Sequence, residues 1–374
     1  MKGNGLTPVG KRPGTEVRSR SYIPSLDGLR AISILIVFVA HVGFSKIVPG
    51  GFGVTVFFFL SGYLITTLLT REWDSFGAIA QQEFYLRRVL RLGPPIAITL
   101  IFALGLSAFG LAKGHTDPMT LLSQIFFFYN YYDLYAPDAD TVEGMGILWS
   151  LAVEEHFYLI WPTLFILLAN KKIGTRTLLS LLVGILVWRM VRYYGFGATE
   201  WTIYVSTDTR FDSLLYGCLL ALLSWSGQAD GLFPAKLAAR AAWIGGALVV
   251  LVLCLLIRDD AFRSTLRYSL QGLALMPIFH YAVTQPDDLI FRPLNWKFMR
   301  KIGQWSYTIY LGHFVIINAL IYNGIGSSKS PVLIVLSAVL SAAYAAAVYR
   351  WAEKPLHPLR RRLTGHRPKS VPAG

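Results

Sequence analysis

The chain has 374 residues, of which 54% are hydrophobic and 15% are charged. A soluble protein of this length rarely combines so much apolar sequence with so little charge, so the composition excludes an ordinary soluble enzyme and indicates a polytopic membrane protein. The net charge of +14 does not indicate nucleic-acid binding. The basic residues collect between apolar runs, as they do in the cytoplasmic loops of inner-membrane proteins.

Ten apolar runs approach or reach the length of about 20 residues that a membrane-spanning helix needs. They lie near residues 29–46, 52–70, 94–112, 147–169, 177–195, 207–226, 241–257, 264–283, 304–322 and 331–350. An eleventh run, residues 119–135, is shorter and ends in polar aromatic residues. If it crossed the membrane, most later basic loops would move outside. The positive-inside rule therefore predicts an all-α protein with ten spans, an interfacial or re-entrant segment at 119–135, and both termini in the cytoplasm.

The two ends of the chain differ from its middle in composition. We expect a mobile cytoplasmic tail at residues 1–20, one transmembrane domain at 21–358 and a basic cytoplasmic tail at 359–374, because both ends are rich in Pro, Gly, Arg and Lys. No cleavable signal peptide is expected, since a polar tail precedes the first apolar run. Cys218 and Cys254 lie in apolar runs without a Cys or His at ligand spacing, so neither a disulfide framework nor a metal site is predicted.

The first span contains two residues that hydrocarbon disfavours, Arg30 and His41. Their spacing of eleven residues is close to three helical turns, so both side chains lie on one face, about 16 Å apart along the axis. Arg30 is then at the cytoplasmic boundary and His41 is in the outer half of the membrane. Ionisable residues inside spans often mark functional sites. The alternative is that Arg30 reaches lipid phosphates and His41 is a packing histidine.

A cluster of arginines precedes the third span, in the segment QQEFYLRRVLRLGPP. Arg88 and Arg91 are three residues apart and share a helix face, whereas Arg87 points elsewhere. Two guanidinium groups on one face suit a multiply charged phosphate ligand. They can equally be topology-setting charges that bind lipid phosphates. Pro94 and Pro95 are expected to end or restart the helix at this point.

The fourth span opens with LWSLAVEEHFYLIWP and carries Glu154 and Glu155 at about the depth of His41. Adjacent helical residues point about 100° apart, so only one of the two can face a given point of a cavity. A carboxylate beside a neutral imidazole fixes its tautomer and strengthens it as a general base. We therefore predict that one of the two glutamates orients His41. The alternative is a structural carboxylate bonded to a neighbouring Tyr or Arg.

Three further charged residues, Asp208, Arg210 and Asp212, open the sixth span. They are candidates for binding a hydroxylated acceptor, or for an ion-pair network that caps helices. His313, in the segment SYTIYLGH, is interpreted as a core residue with a Tyr partner. Ser61, in FLSGYLI, lacks the flanking glycines of a nucleophile elbow and is interpreted as a helix-packing residue.

Taken together, these segments resemble the membrane acyltransferase 3 family, which includes bacterial O-acetyltransferases of surface polysaccharides, Nod-factor acetylases and macrolide acylases. The matching stretches occur in order over about residues 22–360. They are IPSLDGLRAISILIVFVAH, GGFGVTVFFFLSGYLIT, FYLRRVLRLGP, LWSLAVEEHFYLIWP, TRFDSLLYGCLLA, WSYTIYLGH and AEKPLHPL. Each stretch alone is a weak signal, but the ordered set is specific.

The resemblance implies three site motifs. They are an Arg followed eleven residues later by a His, an Arg-x-x-Arg motif, and an acidic pair after Trp-Ser; this chain matches them with Arg30 and His41, with Arg88 and Arg91, and with Glu154 and Glu155. One departure is His156, where the family more often has Gln. Whether His156 tunes the site or only packs stays open.

The reaction that the resemblance implies is transfer of an acyl group, usually acetyl, from acyl-CoA to a hydroxyl. The expected partners are acyl-CoA as a donor substrate rather than a resident cofactor, a hydroxylated acceptor such as a glycan, and the lipid bilayer. Arg30, Arg88 and Arg91 are expected to hold the nucleotide phosphates, with the pantetheine arm beside the first span. The thioester then lies near His41, which acts as general base or becomes transiently acylated.

A transporter or flippase of a lipid-linked glycan is the rival class, because intramembrane Arg, His and Glu also mark ion pathways. The sequence lacks paired broken helices in matching halves, a common transporter signature. The acceptor itself is not readable: an outer-surface glycan, a lipo-oligosaccharide and a cytoplasmic small molecule all stay open. We expect the protein in the cytoplasmic membrane.

Overall fold

A computed structural model describes residues 22–136 and 139–363. The tail expected at residues 1–20, and the part of the basic tail beyond 363, lie outside the described residues. Within the described ranges the chain is helical and contains no strand, which confirms the all-α prediction. The α-helices are α1 (Pro24–Val39), α2 (Gly50–Phe76), α3 (Gln81–Ala108), α4 (Pro118–Ile125), α5 (Tyr129–Tyr135), α6 (Trp149–Ala169), α7 (Thr175–Met190), α8 (Glu200–Val205), α9 (Thr207–Ser226), α10 (Ala229–Leu232), α11 (Leu237–Leu256), α12 (Asp260–Ser264), α13 (Leu266–Thr284), α14 (Lys297–Tyr322), α15 (Pro331–Val348) and α16 (Lys354–Arg362).

Seven helical segments of the described chain are long and apolar enough to cross a membrane. They are Pro24–Phe44, Gly50–Phe76, Gln81–Ala108, Met145–Ala169, Thr175–Gly195, Leu237–Leu256 and Pro331–Arg360. Helices α9, α13 and α14, of 20, 19 and 26 residues, are also long but do not meet the same standard of length and composition. Each of the ten runs predicted as spans thus falls on a long helix of the described chain. By length and composition alone, seven of these helices qualify as membrane spans.

The short run at 119–135 folds as two helices, α4 and α5, of eight and seven residues. Asp117 caps α4 by accepting hydrogen bonds from the backbone N–H groups of Met119 and Thr120, both at 2.9 Å. Neither helix approaches the length of about 20 residues that a span needs. The segment is therefore not a transmembrane helix.

The centre of the bundle is the contact between α2 and α9, where two glycines allow the backbones to touch. A Cβ atom on Gly62 would lie 1.9 Å from the carbonyl oxygen of Leu214, and one on Gly217 would lie 2.0 Å from that of Phe59. Small residues at such crossings are typical of membrane bundles, in which close van der Waals contact holds helices together. Of the residues in the apolar stretch of each helix, 67% are buried in α2, but only 17% in α7 and 22% in α11. Helices α7 and α11 therefore lie at the periphery.

Helix α3 runs without interruption through Pro94 and Pro95, so the expectation that these prolines end or restart the helix is wrong. Proline has no N–H, so the carbonyl groups four residues before Pro94 and Pro95 have no helical donor. Two other carbonyls of this stretch accept hydrogen bonds from hydroxyl groups: Leu92 from Tyr307 at 3.2 Å, and Pro95 from Thr99 at 2.8 Å. The continuous helix places Arg88 and Arg91 directly below an apolar span.

Candidate active site

A cavity lies between α1, α2, α3, α6 and α14, with an empty volume of about 690 Å³ including its open side. It brings together four residues that the sequence marks as candidates, Arg30, Arg88, Arg91 and Glu154. Helices distant in sequence thus supply three cations and one carboxylate to one space. The remaining wall is mostly apolar or hydroxyl-bearing, and includes Phe57, Ser61, Ser150, Tyr158, Tyr307 and Tyr310.

The arginines of this cavity share one lining carboxylate, Glu154, which interacts electrostatically with all three. Arg30 has a long ion pair of 3.9 Å with Asp27, and the Arg88 guanidinium stacks over the ring of Tyr158 at 4.7 Å. Arg91 interacts electrostatically with both Arg30 and Arg88. Like charges held this close repel, and a bound anion would relieve that repulsion.

Arg87 is directed away from this cavity, as its helical phase predicts. It pairs with Glu72 at 3.2 Å and donates a hydrogen bond of 2.8 Å to the carbonyl of Leu363. Its role at this point is to tie the end of α16 to α3. The prediction that Arg88 and Arg91 share a helix face while Arg87 points elsewhere is therefore confirmed for this cavity.

Glu154 is held by a residue that the sequence assigns to packing. The Ser61 hydroxyl donates a hydrogen bond of 2.6 Å to Oε1 of Glu154, and the Tyr158 hydroxyl lies 3.2 Å from Ser61 Oγ, to which it donates. Tyr158 follows Glu154 by one helical turn, so helical periodicity alone places both on the same face. Nothing in the local sequence identifies Ser61 as the third member, since it lies on another helix.

Glu155 is not among the residues that line this cavity. It interacts electrostatically with Arg88 and with Tyr307 from a different side of α6. The two glutamates thus divide as their helical phase requires, with one facing the cavity and the other pointing elsewhere.

His41 lies in a π-helical turn, Ala40–Phe44, that extends α1. Such turns are rare and frequently occur at functional sites. The imidazole stacks on the ring of Phe314, with centroids 4.0 Å apart, and its Nδ1 lies 2.8 Å from Nε2 of His313. The prediction that a glutamate orients His41 needs correction: the hydrogen-bond partner is His313, while Glu154 is bonded to Ser61.

The hydrogen-bond network assigns the tautomers of both histidines. Nδ1 of His313 lies 2.8 Å from the carbonyl oxygen of Tyr310 and 3.0 Å from that of Ile309. Carbonyl oxygens only accept, so this Nδ1 carries a hydrogen, and a neutral His313 accepts at Nε2. His41 then donates from Nδ1. Its own Nε2 is left with a lone pair, which is the state that a general base requires.

The cavity and the histidine pair are neighbours rather than one continuous space. Tyr310 lines the cavity, and its ring centroid is 5.8 Å from that of His313. The Tyr310 hydroxyl is hydrogen-bonded to Ser150 at 2.7 Å. His41 is not among the lining residues, so in this structure the cavity extends from the arginines to Tyr310 and Ser150.

The three charged residues at the start of α9 do not converge on one point. Asp212 and Arg189 are fully buried and form an ion pair of 2.8 Å. Ser269 donates a further hydrogen bond of 3.0 Å to Asp212. A carboxylate enclosed in this way has no surface to offer an acceptor, so Asp212 belongs to the ion-pair alternative.

Arg210 is also fully buried. Its guanidinium carbon lies 3.9 Å from the ring centroid of Tyr268, and the group donates hydrogen bonds to Thr55 Oγ1 at 2.9 Å and to the Tyr204 carbonyl at 3.2 Å. These contacts link α9 to α2 and α13. Arg210 therefore holds neighbouring helices together and does not face an acceptor.

Asp208 is the most exposed of the three, with 33% of its side chain accessible. It accepts hydrogen bonds from the Tyr131 hydroxyl at 2.9 Å and from the Trp188 indole at 2.6 Å, and it pairs with Arg192 at 3.3 Å. Nearby, Nδ1 of His156 lies 2.7 Å from the hydroxyl of Thr207. His156, the departure from the family pattern, thus contacts the α9 start and does not line the arginine cavity.

The helical bundle and its arginine-lined cavity define a multi-pass α-helical membrane protein. Residues 23–351 match the model of the acyltransferase domain family, and the chain belongs to this family. The resemblance stated from the sequence motifs is thereby confirmed.

Several curated proteins are similar to the chain. The peptidoglycan O-acetyltransferase OatA of Listeria monocytogenes is 31% identical over an alignment 320 positions long, which covers 80% of this chain and 50% of that protein. YrhL of Bacillus subtilis, provisionally named a peptidoglycan O-acetyltransferase, is 31% identical over an alignment of 352 positions, which covers 90% of this chain and 55% of that protein. A provisionally named O-acetyltransferase of Staphylococcus aureus is 29% identical over an alignment of 379 positions, gaps included, which covers 96% of this chain and 61% of that protein.

The chain thus spans between 50% and 61% of the length of these curated relatives. No solved structure matches the chain significantly.

Proposed function

We propose that the chain is a membrane O-acyltransferase that moves an acetyl group from acetyl-CoA to a hydroxyl of a glycan. The observation that carries this proposal is the cavity in which Arg30, Arg88 and Arg91 face Glu154 within a chain of the acyltransferase family. The names of the relatives support a glycan as the acceptor. The donor is proposed from the chemistry of the cavity.

Three guanidinium groups that share a cavity with one lining carboxylate are suited to phosphates, because Arg binds phosphate oxygens with charge-assisted, bidentate hydrogen bonds. In the proposed complex, Arg88 and Arg91 hold phosphates of the donor and Arg30 closes the other side. The apolar and hydroxyl-bearing wall beyond them accommodates the pantetheine arm. Its thioester then points towards Tyr310 and the histidine pair.

The proposed chemistry takes place at His41. Nε2 of His41 removes the proton of the acceptor hydroxyl, and the oxygen attacks the thioester carbonyl carbon. The carbon–sulfur bond then breaks, and the CoA thiolate leaves and takes up the proton held on Nε2, which restores neutral His41. His313 holds the reactive tautomer of His41. Because the cavity ends at Tyr310 and Ser150, the donor must displace their hydrogen bond for its thioester to reach His41.

We also propose the ten-span topology, with both termini in the cytoplasm and the protein in the cytoplasmic membrane. Contacts between helix ends support an even alternation of the long helices. Asn323 after α14 donates to the carbonyl of Leu111 after α3, and Arg258 after α11 donates to that of Lys46 after α1. At the other end, Arg87 near the start of α3 reaches Leu363 after α16. Each contact joins ends that the ten-span topology places on one side.

The test is an assay of the purified chain in detergent with acetyl-CoA and glycan acceptors. An acyltransferase releases free CoA thiol in step with formation of an acetylated product, which thiol titration and mass spectrometry measure together. A transporter or flippase of lipid-linked glycans releases no thiol. Thiol release without any acetylated product would limit the activity to hydrolysis and contradict the transfer.

A further inference from the structure

A second cavity lies where the end of α2, the start of α3 and helix α16 meet, with an empty volume of about 1320 Å³ including its open side. It shares Arg88 and Arg91 with the first cavity, so the two spaces adjoin at one turn of α3. Five arginines line it: Arg71, Arg87, Arg88, Arg91 and Arg360. Among its lining residues in the described chain, Glu72 is the single carboxylate.

The lining carboxylate is already engaged by other groups. Glu72 pairs with Arg87 at 3.2 Å, and its other oxygen accepts a hydrogen bond of 2.7 Å from the backbone N–H of Ala80. Arg91 interacts electrostatically with Arg88 and also with Arg360 across the cavity. Glu353, outside the lining, is a further acidic partner of Arg360. A lining of five arginines and one carboxylate suits a multiply charged anion.

Helix α16 is fixed as a wall of this cavity at both of its ends. At its start, the hydroxyl of Thr308 donates a hydrogen bond of 2.8 Å to Glu353. At its end, Arg87 donates one of 2.8 Å to the carbonyl of Leu363. These contacts hold Arg360 and His357 on the side of α16 that faces the arginines of α3.

The rest of the wall is apolar and partly aromatic, with Leu68, Leu69, Phe76 and Phe84. A site with a cationic side and an aromatic side suits a nucleotide, because the phosphates take the charge and the base contacts the rings. The adjoining first cavity has a smaller empty volume and runs into the bundle. A ligand with a phosphate-bearing head and a thin arm fits these two adjoining cavities, with the head in the second and the arm in the first.

We propose that the second cavity binds the phosphate-bearing nucleotide end of the donor, and that α16 contributes Arg360 to that site. This inference rests on the proposed function, in which the donor is acyl-CoA. The arm of the donor passes between Arg88 and Arg91 into the first cavity. The headgroup of an anionic phospholipid offers the same phosphate chemistry, and the experiment separates the two sources.

The experiment measures binding to the full chain in nanodiscs by calorimetry, with CoA and pantetheine as probes. The variants are Arg360→Gln and Arg71→Gln. Lys354→Gln is the matched control, because Lys354 is exposed on the same helix and does not line the cavity. Each variant is measured in phosphatidylcholine discs with and without phosphatidylglycerol, and its thermal midpoint is recorded.

We expect Arg360→Gln and Arg71→Gln to weaken CoA binding by about 10- to 150-fold, the range of one lost charge-assisted phosphate contact. Pantetheine, which has no nucleotide phosphates, should bind all variants equally, and Lys354→Gln should match the parent. Equal weakening of both probes at an unchanged thermal midpoint would show that the lost contact is not to the nucleotide phosphates and would overturn the assignment.

Two results would overturn the inference while leaving acyl-CoA as the donor. One is a parent that binds CoA and an Arg360→Gln variant that binds it equally well. The other is a variant that loses only its response to phosphatidylglycerol, which assigns the cavity to a lipid headgroup. A parent that binds neither probe would instead contradict the donor in the proposed function.

Discussion

Nδ1 of His41 and Nε2 of His313 lie 2.8 Å apart, although the residues are 272 positions apart in the chain. The backbone carbonyls next to His313 Nδ1 determine the direction of the hydrogen bond between the two rings. Nε2 of His41 is consequently the nitrogen with a free lone pair. His313 is a positioning residue in the proposed mechanism, because it acts on the reaction only through His41.

Replacing His313 tests this relationship. In His313→Leu, Nδ1 of His41 loses its acceptor and the required tautomer loses its support. Turnover per folded molecule should fall by about 10- to 100-fold, somewhat less than the 10²–10⁴-fold that a general base typically contributes. His313→Gln keeps an oxygen that can accept from His41, so it should recover part of the loss.

The measurement is the rate of acetyl transfer, together with the thermal midpoint in detergent. A purely structural His313 would lower the midpoint in both variants and leave turnover per folded molecule near the parental value. Equal turnover in the parent and His313→Leu would therefore remove His313 from the mechanism.

Arg88→Ala and Arg91→Ala should chiefly weaken binding of acyl-CoA. Each charge-assisted phosphate contact contributes about 1.5–3 kcal/mol, which corresponds to about 10- to 150-fold in affinity. Arg176→Ala is a suitable control, because Arg176 is exposed and lines neither cavity. Equilibrium binding of acetyl-CoA checks this prediction. Variants that bind as tightly as the parent while losing turnover would contradict the phosphate role.

Asp212→Ala should destabilise the protein rather than weaken acceptor binding. It leaves the Arg189 guanidinium buried without its ion-pair partner, and breaking a buried pair from one side typically costs about 3–5 kcal/mol. Asp208→Ala, at a partly exposed ion pair, should cost much less. Thermal unfolding and the KM for acceptor separate the alternatives: a raised KM at an unchanged midpoint would return Asp212 to the acceptor site.

Gly217→Ala should separate the two central helices. The added Cβ would lie 2.0 Å from the carbonyl oxygen of Phe59, and overpacking of this kind typically costs about 1–3 kcal/mol. Gly245→Ala on α11 is the matched control, because no heavy atom lies within 4 Å of its Cβ position. The control should unfold at or slightly above the parental temperature. Equal midpoints for the two variants would show that the α2–α9 contact does not limit stability.

The sequence could predict features that depend on position along one helix. The runs of apolar residues identify the long helices, and the three-residue spacing places Arg88 and Arg91 on one face. Helical phase also explains why Glu154 and Glu155 cannot both enter the same cavity. These predictions needed only the helical repeat and the cost of charge in hydrocarbon.

Partners on different helices could not be predicted in the same way. Asp212 is paired with Arg189 and His41 with His313, and neither partner is marked by local spacing. The hydroxyl that bonds the Leu92 carbonyl of α3 likewise comes from another helix, since Tyr307 lies on α14. Such contacts are set by the packing of the bundle, so a single sequence read for periodicity leaves the alternatives open.

The most direct test of the account is the turnover of His41→Gln with acetyl-CoA and a hydroxylated acceptor. Gln retains polarity and most of the side-chain volume but cannot take up the proton of the acceptor hydroxyl. The account predicts that His41→Gln folds with a near-parental thermal midpoint, binds acetyl-CoA as tightly as the parent, and loses at least about 10²-fold in transfer rate. Near-parental transfer by His41→Gln would contradict it and remove His41 from the chemistry.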